Sequence, residues 1–179
     1  MKFKKIIASC KKNAQIRLFE GEDGQWISDG GAMYPLFNMP KFDEESICRA
    51  CDITEKQAEK MMIQYNDYLP SQFDYNDHSP NETPCEREEA IFGKIIPIMT
   101  SHGMEFINGN YLLPFEDADD DMLYIFERTQ ENGQTYFVVK QGFALVGIIL
   151  PYDCINESFV KRLKNIYEQC EITLFNKKR

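Results

Sequence analysis

The chain has 179 residues, 43% of them apolar and 27% charged, and 29 acidic residues against 20 basic ones leave a net charge of −9. This balance describes an ordinary globular chain, one domain or two small ones, and excludes disordered and collagen-like classes. No apolar stretch is long enough to cross a bilayer as a helix, and so acidic a chain is not a general nucleic-acid binder.

The chain opens with MKFKKIIASCKK. Its apolar run is too short for a signal peptide, so residues 2–12 are expected to form a helix of the mature protein and the protein to be cytoplasmic. Phe3, Ile6, Ile7 and Cys10 mark one face of that helix. Residues 15–21, 25–28 and 32–37 alternate or carry β-formers between the turn signals Glu22-Asp23-Gly24 and Asp29-Gly30-Gly31, and predict three strands. After Pro40 a short helix over 47–51 and a second helix from Thr54 to Tyr65 follow, the second opened by a Thr54/Gln57 capping box. Residues 68–84 hold three prolines among polar residues and predict a long loop or linker.

Residues 86–101 read as a helix with Phe92, Ile95, Ile96 and Met99 on one face and Pro97 as a kink. Residues 104–115 read as strand around an Asn108-Gly109 hairpin turn. An acidic loop over 116–121 and a strand over 122–129 come next. The run from Tyr136 to Leu150 is too apolar for a strand with one wet face. It predicts two strands, covered on both sides, turning near Lys140–Gly142. Pro151 ends the sheet, and Asn156 or Ser158 caps a helix with Phe159, Leu163, Ile166, Tyr167 and Cys170 on one face. That face is expected to lie on the sheet. A last strand is expected over 171–175.

The six cysteines are scattered, and most sit inside apolar patterns, which fits reduced core thiols. Cys48-x-x-Cys51 lacks the second pair that zinc wants, and Asp43–Glu45 just before it oppose a thiolate. Asp117, Asp119, Asp120 and Asp121 miss the EF-hand spacing, and a metal-dependent hydrolase using 116–121 is the third-ranked function. His78 and His102 stand near no nucleophile in sequence. No phosphate-binding glycine loop or nucleophile elbow is present, and no cofactor is expected.

Residues 46–65 resemble a helix-turn-helix, with Asp52 where glycine is usual in the turn. The resemblance implies that Lys56, Gln57 and Lys60 would meet DNA. Phe3-Lys4-Lys5-Ile6-Ile7 echoes Phe92-Gly93-Lys94-Ile95-Ile96, and Gly31/Pro40 echo Gly142/Pro151 at equal spacing. The fold expected is α+β, in two similar halves: 1–67 as αβββαα, 68–85 as a polar linker, and 86–179 as αββββαβ. The layout resembles the repeated sheet-and-helix units of DNA sliding clamps. That resemblance implies basic helices facing DNA, here with Lys161, Arg162 and Lys164. The first-ranked function is a non-enzymatic interaction protein holding a protein partner through sheet faces, edges or the 65–75 loop. DNA binding ranks second.

Overall fold

The computed structural model describes residues 1–87, 94–115 and 123–178. The fold is α+β. Helix α1 (Phe3–Lys12) leads into strands β1 (Gln15–Gly21), β2 (Gly24–Ser28) and β3 (Ala32–Pro35). Helices α2 (Glu44–Ala50) and α3 (Glu55–Ala58) precede β4 (Met62–Asn66). A long loop then reaches β5 (Thr83–Arg87), β6 (Ile95–Thr100) and β7 (Gly103–Asn108), and a 3-10 helix spans Gly109–Phe115. Strands β8 (Leu123–Thr129), β9 (Thr135–Gln141) and β10 (Ala144–Ile149) lead to helix α4 (Glu157–Lys177).

Among the described residues ten strands form one mixed sheet in the order β4-β1-β2-β3-β10-β9-β8-β5-β6-β7. The β1–β4 pair is parallel and the other pairs are antiparallel. Two meanders, β1–β3 and β8–β10, meet where Met33 and Ala32 pair with Ile148 and Ile149.

The central strands are covered on both faces. On one face Ile6, Ile7 and Cys10 of α1 and Tyr111, Leu112 and Phe115 of the 3-10 helix pack onto Ile16, Leu18, Ile27, Phe137 and Val139. On the other, Leu69, Phe73 and Tyr75 of the long loop lie on Phe19, Trp26, Met33, Tyr136, Val138 and Ile148. A strand with period-two alternation needs both faces apolar for such burial, and Tyr136 through Val139 have it. The turn between β9 and β10 falls at Gly142, whose φ is +62°.

Helix α1 is tied to the sheet by a carboxylate. Asp29 is buried, and it accepts from Ser9 Oγ (2.5 Å), Asn13 Nδ2 (2.9 Å) and the backbone N–H groups of Gly31 and Ala32 (3.0 Å each). The chain passes tightly beneath Tyr111 here. A Cβ on Gly31 would stand 2.1 Å from the Tyr111 hydroxyl oxygen and 2.7 Å from its Cζ. Gly31→Ala should therefore push a buried ring out of place and cost about 1–3 kcal/mol, the usual range for overpacking. Urea unfolding of the two proteins checks it.

Several expectations are corrected. Met62–Asn66 is strand β4, not the end of a helix, and α3 is a single turn. Strand pairing with β1 overrides the helical spacing of Ala58, Met61, Met62 and Tyr65. The helix expected over 86–101 is strand at both ends, Thr83–Arg87 and Ile95–Thr100, and residues 88–93 lie outside the described residues. Ile95, Ile96 and Ile98 suit a helix face or a buried strand equally in so short a run, and pairing with β7 decides it. The hairpin turn sits at Ser101-His102 rather than Asn108-Gly109, and 109–115 is a 3-10 helix rather than strand. The strand expected over 171–175 is a continuation of α4. Helix α4 does not lie on the sheet as a core helix: none of its residues is buried.

Candidate functional site: an acidic, aromatic cleft

The long loop does more than cover the sheet. Between it, the β1–β2 hairpin and the end of β3 lies a half-open cleft of about 980 Å³. Trp26, Phe73 and Tyr75 form an aromatic wall, with ring centroids 5.2 Å apart for Trp26–Tyr75 and 6.3 Å for Phe73–Tyr75, both edge-on. Phe37 and Tyr68 stand at the rim, half and largely exposed. Among the described residues six carboxylates line the same space, Glu20, Glu22, Asp23, Asp67, Asp74 and Asp77, and no lysine or arginine does.

These carboxylates divide by role. Glu20 bonds Lys41 (2.6 Å) and Tyr65 Oη (2.8 Å), and those contacts hold its pKa below the ordinary value. Asp77 Oδ1 accepts from Leu145 N (2.7 Å) and fixes the loop to β10. Glu22, Asp23 and Asp67 are exposed at the mouth and are the charges a ligand would meet first.

The loop is held from beneath by buried charge. Arg128 on β8 is 2% exposed and Lys140 on β9 is 3% exposed. Arg128 donates from Nη2 to Glu82 Oε2 (2.5 Å) and to Asn76 O (2.9 Å), and from Nη1 to Asp74 O (2.8 Å). Lys140 Nζ meets Glu82 Oε1 at 2.5 Å and lies 4.4 Å from the centre of the Phe126 ring. Asp74 N donates to Tyr136 Oη at 2.9 Å. Two buried cations and one carboxylate thus fasten residues 74–82 to the sheet. Burial raises the Glu82 pKa, but the hydrogen bonds from Lys140 and Arg128 outweigh it and hold the carboxyl below its ordinary value. The signal for this network was present in the sequence. Lys140 and Arg128 interrupt apolar strands at positions whose alternation points inward.

A second cluster joins the adjacent Ser101 and His102 to Glu127, which is distant from them in sequence. Buried Glu127 accepts from Ser101 N (2.8 Å) and Ser101 Oγ (3.0 Å), and His102 Nδ1 lies 3.2 Å from it. Ser101 Oγ is 2.8 Å from the same Nδ1. In a catalytic triad the hydroxyl and the carboxylate sit on opposite ring nitrogens. Here both meet Nδ1, and the cluster ties the β6–β7 turn to β8 instead.

The sequence-derived DNA candidates fall in two places. Lys56 and Gln57 lie on the single turn of α3 and Lys60 just beyond it, all exposed. Asp52 does adopt the left-handed backbone, φ +50°, that the helix-turn-helix resemblance asks for at the turn. Four residues, however, give much less than the helix such a motif lays in the major groove. Lys161, Arg162 and Lys164 are exposed on α4, apart from α3 in the chain. The acidic segment 116–121 lies outside the described residues. Burial raises the pKa of the Cys48 thiol and pushes that of Cys51 up to about 11, which disfavours thiolate chemistry at the Cys48-x-x-Cys51 pair.

No protein-family model, no curated protein and no solved structure matches the chain.

Proposed function

We propose that this protein is a non-enzymatic binding module whose cleft receives a cationic segment of a partner protein. The observation that carries this reading is the coincidence, among the described residues, of an aromatic wall with six carboxylates and no basic residue in one space of about 980 Å³. Lysine and arginine side chains gain from both, through ion pairing and through stacking on ring faces. The net charge of −9 favours encounter with such a partner. The two-halves reading belongs to the same proposal. The meanders β1–β3 and β8–β10 would be the corresponding parts of a clamp-like layout, joined at β3–β10.

Trp26 is the only tryptophan and lies in the aromatic wall, so it reports on the cleft. Titration with a lysine- and arginine-rich peptide should give a saturable change in Trp26 emission that weakens between about 50 and about 200 mM salt. Glu22→Gln/Asp23→Asn/Asp67→Asn should weaken it about tenfold or more, because three charges are removed at the mouth. An acidic peptide of equal length binding as well would overturn the reading. A labelled DNA duplex serves as the competing ligand. Binding that collapses with salt and is lost in Lys56→Glu or Lys161→Glu would put the DNA reading in its place.

A further inference from the structure

Helix α4 runs for 21 residues, about 31 Å at 1.5 Å per residue, and buries none of them. Its first turn touches the body, where Phe159 meets Phe106 edge-on at 5.7 Å. From Val160 to Lys178 every residue is exposed. Yet the helix is not polar all round. Phe159, Leu163, Ile166, Cys170 and Thr173 follow one another at steps of four, three, four and three, with Val160, Tyr167 and Leu174 alongside. That is the spacing of a coiled-coil seam. A helix of this length is marginal in water without a partner for such a face.

We propose that the partner is α4 of a second copy of this chain, packed antiparallel. Charge selects this occupant and this direction. Lys164 and Glu171 lie seven residues apart on the same flank of the apolar face, and the Tyr167 hydroxyl donates to Glu171 Oε1 at 2.7 Å, which holds the carboxylate beside the seam. A two-fold axis perpendicular to the helices brings like flanks together with reversed direction. The register that sets Ile166 against Cys170 of the second copy also sets Lys164 beside Glu171 of the second copy, and does so twice. Parallel pairing would bring unlike flanks together and set Lys164 beside Arg162 and Glu171 beside Gln169 of the second copy, a repulsion at one level and no attraction at the other. This inference is independent of the cleft.

Sedimentation of the full chain under reducing conditions, from about 5 to about 200 µM, tests it, since a short seam of this kind gives micromolar association. The wild type should pass from monomer to dimer in that range. Ile166→Glu should stay monomeric with unchanged Trp26 emission and unfolding midpoint, because the residue supports nothing in the body. Lys164→Glu should weaken the dimer about tenfold, and Lys164→Glu/Glu171→Lys should restore it, since each reversal replaces two attractions by two repulsions. A wild type monomeric at the highest concentration overturns the proposal and leaves the face to a different protein. A dimer that survives Ile166→Glu, or a charge swap that fails to restore it, overturns it equally.

Discussion

Glu82→Ala should cost the protein about 3–5 kcal/mol, the range seen when one member of a buried ion pair is removed and its partner stays charged. Glu82 is the shared counterion of Arg128 and Lys140, both almost fully buried. The loss would not be equal for the two. Arg128 keeps the carbonyls of Asp74 and Asn76 and the Asp74 carboxylate 4.0 Å away. Lys140 keeps the face of Phe126 as its remaining described contact. Lys140→Met added to Glu82→Ala should therefore recover part of the loss, whereas Arg128→Met added to it should recover less, because the loop carbonyls then lose their donors. Glu82→Gln should fall between wild type and Glu82→Ala, since the amide oxygen still accepts from one cation. Urea unfolding followed by Trp26 emission measures all of these, and the cleft should open first, because residues 74–82 carry Tyr75 against Trp26.

The same network sets an acid limit. The Glu82 pKa is lower in the folded protein than its ordinary value. A depressed carboxyl contributes stability that is fully present above the unfolded value, about 4.3, and is lost as pH falls through the folded value. Wild-type stability should therefore drop more steeply below about pH 4 than that of Glu82→Ala. Parallel pH profiles for the two proteins would show that Glu82 is not the titrating group.

Much of the first half was legible because its signals were local. Helix α1 and strands β1 to β3 follow from apolar spacing and glycine turns, and Gly24 and Gly30 do adopt positive φ. Strands β9 and β10 follow from an apolar run that only two-sided cover explains. The failures share one cause. Runs such as 95–100 and 171–175 are short and β-branched or apolar, and their state is decided by what lies beside them. A hairpin with β7 made a strand of the first, and the second, with no strand beside it among the described residues, continues α4. The cleft was legible only as an aromatic loop over 65–75. Its acidic mouth comes from Glu22 and Asp23, which are about forty-five positions from Asp67 and marked in sequence only as a turn.

Asp29→Ala should cost about 2–4 kcal/mol, next in size to Glu82→Ala. The carboxylate satisfies four donors from two elements, Ser9 and Asn13 of the α1 end and the backbone of Gly31 and Ala32. Hydrogen bonds to a charged acceptor contribute more than neutral ones, and donors left buried without a partner add their own desolvation cost. The effect should be local in a recognisable way. Asn13 Nδ2 also reaches Tyr111 Oη at 3.4 Å, so one side of the cluster has a fallback, but the two backbone N–H groups at the β2–β3 turn do not. Amide exchange should rise at Gly31 and Ala32 and through α1, while the loop over 74–82 on the opposite face keeps its protection. Asp29→Asn should behave differently from Asp29→Ala. Its single carbonyl oxygen can still accept at the turn, but its NH₂ group would face the Asn13 amide as a second donor. If Asp29→Asn matches wild type, the charge is dispensable and the geometry alone holds α1. If it falls as far as Asp29→Ala, the negative charge is what ties the helix to the sheet.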